Sequence, residues 1–281
     1  MAVVGFSSAG CATQATAAAE VGDVSISEAL IFDRTSAVVQ QVVAAGNPTP
    51  DASTLAELNR RQATSAIRSE LLQLAATDAG IVITDEQVNA ALADTTATDA
   101  AAQLGAPATM VDQTVRDLLR LEGLVSTQSA QGAPIKNVVV DIDGVSVATR
   151  DEAVATRTQF LADPQSVDGV IAASQAPVQP QTATILTTPT VAPTGIFNAD
   201  PGDVILYPNP DGYYVVRIRD RTVEDGVLTA ADLTPQDLGG KFDLGALLLQ
   251  PFAEQVGVSV NPRLGVWDPL TLQVVPGGSG L

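Results

Sequence analysis

Residues 19–26 read as a strand with no partner near it in the sequence. The segment AEVGDVSI sets a Gly22-Asp23 bend between two short runs of alternating character. From Ser27 to Pro134 the strong signals are helical. An isolated hairpin is marginal in water, so this one needs another strand or a covering helix. Apolar strand runs recur near the far end, at 258–260 and 270–275. The chain ends are therefore expected to meet in one unit, with the material between them divided or inserted.

The first half carries start and stop signals for several helices. Ser27 can cap a helix from 28 to about 45, which Gly46-Asn47-Pro48 ends. Thr54-x-x-Glu57 reads as a capping box, in which hydroxyl and carboxylate satisfy orphan backbone donors reciprocally. The helix that follows places Leu55, Leu58, Ala66, Ile67, Leu71, Leu74 and Ala75 on one stripe and stops at Gly80. Ile81-Val82-Ile83 leads to a second box, Thr84-x-x-Gln87, and a short helix with Val88, Ala91 and Leu92. Residues 98–105 read as another helical turn. Beyond Pro107, a helix carries Val111, Val115, Leu118, Leu121 and Val125 on one side. Gln131-Gly132-Ala133-Pro134 ends the helical half.

Residues 135–223 change character. Lys136 to Val140 reads as a strand, Thr149-x-x-Glu152 opens a helix, and Asp163-Pro164 starts a shorter one. The Pro-, Gln- and Thr-rich stretch 175–194 holds one strand-like run, 182–187. Runs 203–207 and 213–219 are strands joined by Asn209-Pro210-Asp211-Gly212, a strong turn signal. The C-terminal region adds a helix over 244–256 and, between its strands, a Pro-bounded loop containing Trp267. The expected fold class is α+β. The expected units are a leader and tether at 1–18, a helical module of 19–134 plus 224–276, an inserted α/β lobe at 135–223 and a flexible tail at 277–281.

Composition excludes several chemistries. With no histidine there is no Ser-His-Asp triad and no His-ligated zinc, and with one cysteine there is no intrachain disulfide. A net charge of −18 argues against nucleic acid, whose phosphates need cations. It fits solubility and a mild bias toward basic or apolar partners. Asp141-x-Asp143-Gly144 approaches a calcium loop, but its glycine comes too early and later acidic ligands are missing, so it reads as a turn. Arg217, Arg219 and Arg221 alternate on one strand face, which reads as solvated, the alternative being carboxylate binding. No metal or cofactor is implied, and no residue is nominated as catalytic.

The N-terminal MAVVGFSSAGC sets small residues before the lone Cys11 after a short apolar stretch. This resembles a bacterial lipobox, in which the cysteine is diacylated, with Ser8 where leucine is preferred. The expectation is lipid attachment at Cys11 after a truncated leader, with residues 12–18 as a tether. The alternative is an incidental cysteine in a loose N-terminus.

The element order resembles the SurA/PrsA-type extracytoplasmic foldases. Residues 19–27, and the run from Leu71 through Gly80-Ile81-Val82-Ile83-Thr84-Asp85-Glu86-Gln87-Val88, look like that family's opening strand, second helix, link and third helix. Val260-Asn261-Pro262-Arg263-Leu264-Gly265-Val266-Trp267-Asp268-Pro269 is similar to the end of actinobacterial SurA-like lipoproteins. The lobe at 135–223 resembles a parvulin prolyl-isomerase domain with losses. Phe197-Asn198-Ala199-Asp200-Pro201-Gly202 is similar to the segment carrying the pocket phenylalanine, which would be Phe197. Gly212-Tyr213-Tyr214-Val215-Val216 is similar to the last strand, with Tyr214 in place of a histidine. The first-strand histidine falls near Val138 or Val139, Pro193 stands where Met or Leu is usual, and the Gly-rich turn is replaced by Thr182-Ala183-Thr184.

The resemblance implies a cell-envelope chaperone that binds unfolded or nascent secreted polypeptides in an apolar groove, with little or no isomerase activity. The helical side chains Leu55, Leu58, Val115 and Leu118 are candidates to line the groove or the core. Phe197, Tyr213, Tyr214 and Trp267 are candidate peptide contacts, or else packing residues. The other readings are an active prolyl isomerase with an atypical pocket and a scaffold lipoprotein for one envelope partner. The localisation implied is extracytoplasmic and lipid-anchored.

Overall fold

In a computed structural model, the residues described are 17–93, 106–127, 132–233 and 238–277. The expectations at Cys11 and at 98–105 lie outside them. Strand β1 (Ala17–Val21) turns back through Gly22 onto β2 (Val24–Ser27). Ala17 and Ala18, expected in the tether, are buried in this strand. Gly22 sits at φ +56, where a side chain is strained, and its N–H donates to the Gly257 carbonyl at 2.9 Å. The other edge of β1 pairs antiparallel with β7 (Val258–Val260), with Ala19 opposite Val260. The chain ends thus close one sheet, ordered β2-β1-β7. Residues 270–275 do not join it. Instead β8 (Val266–Asp268), inside the expected loop, pairs with β9 (Gln273–Val275) as a separate ribbon.

Four helices pack beside these strands: α1 (Glu28–Ala44), α2 (Ala52–Asp78), α3 (Asp85–Ala91) and α4 (Val111–Thr127). Ser27 caps α1, and the Thr84–Gln87 box caps α3 with both reciprocal bonds formed. The start of α2 corrects the expectation. Asp51 accepts the Thr54 N–H at 2.8 Å, so Thr54 lies inside the first turn and is not its cap. The α2 stripe buries Ile67, Leu71 and Leu72 completely or nearly so, against Val21, Ile31, Leu249, Leu272 and Val274.

The second lobe is a four-stranded antiparallel sheet of β3 (Ala133–Val147), β4 (Pro177–Thr184), β5 (Val204–Asn209) and β6 (Gly212–Leu228), ordered β4-β3-β6-β5. The 175–194 stretch holds β4 and the 3-10 segment Pro189–Thr194. Strands β3 and β6 pair along their whole lengths, so the lobe limits expected at 134/135 and 223/224 fall inside strands. The Asp141-x-Asp143-Gly144 turn is absent, because this run is mid-strand in β3. Gly144 is required there: a Cβ would lie 2.1 Å from the Val215 carbonyl oxygen. Helices α5 (Arg150–Ala162) and α6 (Val167–Ala173) cover one face around Phe160 and Val215. The other face packs Val138, Val140, Val216 and Ile218 against Ile185, Ile196 and Phe197.

The link back is α7 (Ala230–Leu233), α8 (Leu238–Ala246), the 3-10 turn Leu247–Leu249 and α9 (Gln250–Val256). The single helix expected at 244–256 divides because Pro251 has no N–H for the Leu247 carbonyl. This break is used. Leu247 packs into the sheet core, Leu249 into the helical core, and Leu248 touches both. Buried Gln250 bonds Lys136 through both ends of its amide, at 2.7 and 3.0 Å, joining the lobes. Among the described residues, no helix is long and apolar enough to cross a membrane.

Candidate functional site

The four aromatic candidates are not brought together. Phe197 is completely buried in the sheet core. Tyr213 and Tyr214 point to opposite faces of β6, as alternation requires, and each is half-buried. Tyr214 meets Tyr207 at a ring-centroid distance of 5.3 Å, and burial pushes the Tyr207 hydroxyl up to about 12. Trp267 packs on the helical core. The lobe therefore fills its interior with its own rings.

Of the β6 arginines, Arg219 is exposed as expected, 3.6 Å from Asp143, but Arg217 and Arg221 are not on a solvated face. A one-residue bulge opposite Asp141 and Ile142 breaks their alternation. Arg217 forks onto buried Asp143 at 3.0 and 2.7 Å and also bonds Asp168 at 2.6 Å. Arg221 donates to the Phe197 carbonyl at 2.8 Å on the other side of the sheet. These groups hold the lobe together and are used up in doing so.

A cavity of about 430 Å³ opens where the two lobes meet. Arg34 of α1, the α2 turn from Arg61 to Ser69, and the α4 side chains Gln113, Asp117 and Leu118 form one side. Thr190 and Pro193 of the 3-10 segment, Phe242 and Asp243 of α8, and Gln273 of β9 form the other. Met110 and Pro107 complete an apolar rim. The expected groove residues separate: Leu118 lines this cavity, Val115 is buried in a small cluster with Val88 and Val111, and Leu55 and Leu58 are half-exposed.

Two buried charges organise the cavity. Arg68 is 3 % exposed and has its fork fully engaged. It donates to the Leu272 carbonyl at 2.9 Å, the Thr271 carbonyl at 3.2 Å and Asp243 at 2.6 Å. Thr64, one turn earlier, accepts the Val274 N–H at 2.8 Å. Together they clamp the β8–β9 ribbon onto α2, including Leu272 at φ +54, a strained value for a leucine. Asp117 accepts from Gln113 at 3.0 Å and Arg120 at 2.9 Å. Burial nonetheless raises its pKa, with the hydrogen bonds from Ser69, Arg120 and Gln113 opposing. Arg34 differs from both. Burial lowers its pKa, partly offset by Asp117, and its Nη1 is buried with no hydrogen-bond partner among the described residues.

The α2 stripe read from the sequence passes over Arg68, and the α4 stripe passes over Asp117. Both lie at core-facing spacing beside apolar neighbours, and a charge in such a stripe was the available signal. Arg34 had no comparable signal.

Residues 1–105 match the SurA-like N-terminal domain. The resemblance expected from residues 19–130 is thus borne out over its N-terminal part. The SurA-like match includes β1, β2 and α1 to α3, and so supplies the Arg34 and α2 wall; the α4, α8 and β9 walls lie outside it. No curated protein matches the chain. Among solved structures, a chain described with PEB4 and Cj1289 as SurA-like chaperones of Campylobacter jejuni is similar at 12 % identity. That likeness covers 88 % of this chain and 99 % of the other at a TM-score of 0.27. Among the described residues, no group of acidic or cysteine side chains is arranged to hold a metal.

Proposed function

We propose that the chain is a cell-envelope chaperone that binds unfolded or nascent secreted polypeptides and has little or no prolyl isomerase activity. The cavity between the SurA-like helices and the sheet lobe carries this reading. It is large enough for a few side chains of an extended client, and it mixes apolar walls with polar groups rather than presenting one shaped subsite. Exposed Phe32, at 69 %, and Leu30 and Val43 on α1 offer further apolar surface nearby in the chain. Tyr213, Tyr214 and Trp267 keep some exposed surface and are proposed secondary contacts. Phe197 can take that role only if the lobe opens.

The same reading includes the division into a helical module and a degenerate parvulin-like lobe. It also includes extracytoplasmic location and lipid attachment at Cys11, supported by the small residues before that cysteine and by the SurA-like match. Weak isomerase activity is supported by the chain's lack of histidine and by Phe197 being sealed in the core. Isomerisation has to stabilise a twisted imide against a barrier of about 18–20 kcal/mol, which needs an open proline pocket.

One sample with two readouts tests the proposal: aggregation of an unfolded client, and a proline-limited refolding step. Suppression without acceleration is the expected result. Acceleration abolished by Phe197→Ala would establish an isomerase instead, and neither effect would leave a scaffold. Mass analysis of the native N-terminus is expected to find acylated Cys11; an intact Met1 would refute the anchor.

A further inference from the structure

We infer that the cavity between the lobes is a carboxylate site, with Arg34 as the anchoring cation for an anionic group on a bound polypeptide. The inference rests on the proposed chaperone function and adds the chemistry of what is bound.

Most charged groups around the cavity already have partners. Arg68 has its donors on two carbonyls and Asp243. Arg61 is paired with Glu57 one turn away. Asp117 accepts from Gln113 and Arg120. Asp243 and Arg61 reach solvent with whatever capacity they keep, so among the described lining side chains the buried nitrogen without a partner is that of Arg34. A half-buried guanidinium without an acceptor is costly, and an incoming acceptor removes that cost. The missing partner is therefore an acceptor, and an anionic one binds best because the hydrogen bonds become charge-assisted. A planar carboxylate matches the guanidinium fork.

Two carboxylates share the lining with Arg34. Asp117 lies close enough to act on Arg34 electrostatically, and Asp243 stands across the cavity. Each is already held by an arginine, Asp117 by Arg120 and Asp243 by Arg68, so Arg34 is the lining cation left without a carboxylate among the described residues. Met110, Leu118 and Phe242 in the same lining favour an apolar residue near the anion. A polypeptide presents this pair in two places: at its C-terminus, or at an Asp or Glu flanked by apolar residues.

The test uses the full chain and three fluorescent peptides of one apolar sequence: the free acid, the C-terminal amide, and the amide with one internal Glu. The free acid is expected to bind about tenfold tighter than the amide, one charge-assisted pair. The Glu peptide reports the source: binding like the acid means that any accessible carboxylate serves, and binding like the amide means that a C-terminus is read. Arg34→Gln is expected to abolish the preference for acid over amide, and Arg34→Lys to retain part of it. Near-ultraviolet circular dichroism confirms that each variant is folded. Equal binding of acid and amide, or an acid preference that survives Arg34→Gln, overturns the inference. No acid preference in the parent chain, with client aggregation still suppressed, overturns it alone; absence of both peptide binding and suppression in the parent chain overturns the chaperone reading as well.

Discussion

Phe197 and Arg34 stand in the two lobes under opposite conditions. Phe197 has no exposed surface, its neighbours fill the sheet core, and its carbonyl is held by Arg221. Arg34 lines a cavity and keeps a buried nitrogen without a partner among the described residues. The motif-bearing residue is the structural one, and the residue without a motif has capacity to bind. A binding site is marked by uncommitted groups around space, and residue type at a motif position does not report that. The sheet lobe packs Phe197 as core, while the junction between lobes keeps polar groups around an opening.

Substitutions can break this contrast or sharpen it. The largest effect is expected from Phe197→Ala, which empties a fully buried site and should cost about 3–5 kcal/mol in denaturant unfolding. If it costs under about 1 kcal/mol, Phe197 is not a core residue and the contrast fails. Arg68→Ala removes the clamp on residues 271–272 and leaves Asp243 and two carbonyls unpaired. A loss of about 3 kcal/mol is expected, with the β8–β9 amides exchanging fastest, because breaking a buried ion pair is far costlier than forming one is favourable. Thr149→Ala removes the hydroxyl half of the capping box on α5 and should cost about 1 kcal/mol without affecting client binding.

The smallest effect is a pH dependence at Asp117. Its pKa is raised above the ordinary 3.8 by burial. A carboxyl with a raised folded value stabilises the fold below its unfolded value and loses that contribution as pH rises through the folded value. Asp117→Asn should therefore raise Tm relative to the parent at neutral pH. The difference should shrink as pH falls toward 3.8. A difference that grows toward acid would mean that Arg120 and Gln113 outweigh the desolvation of Asp117.

Much of the architecture was legible because it rests on local chemistry. Ser27, Thr84 and Thr149 cap where the sequence reads them, since capping depends on a few adjacent residues. The unpartnered strand at 19–26 correctly called for the far end of the chain, because a short hairpin needs burial. What was missed depends on contacts distant in sequence. Asp51 rather than Thr54 caps α2, and β3 runs through Asp143 because Arg217 neutralises it from β6. The division of 244–256 turns on Pro251, which was visible, and on the two cores that Leu247 and Leu249 enter, which were not. The cavity was not legible at all. Its walls come from six separate stretches of chain, and its most telling feature is the Arg34 nitrogen that lacks a partner among the described residues.

The most direct measurement is amide hydrogen exchange of the intact protein with and without an unfolded client. Client-induced protection is expected on α4 and on the α2 stretch around Arg61 to Ser69, the wall of the cavity. Protection confined to β5 and the Tyr213–Tyr214 end of β6, with α2 and α4 unchanged, would place the client on the sheet lobe and contradict the account.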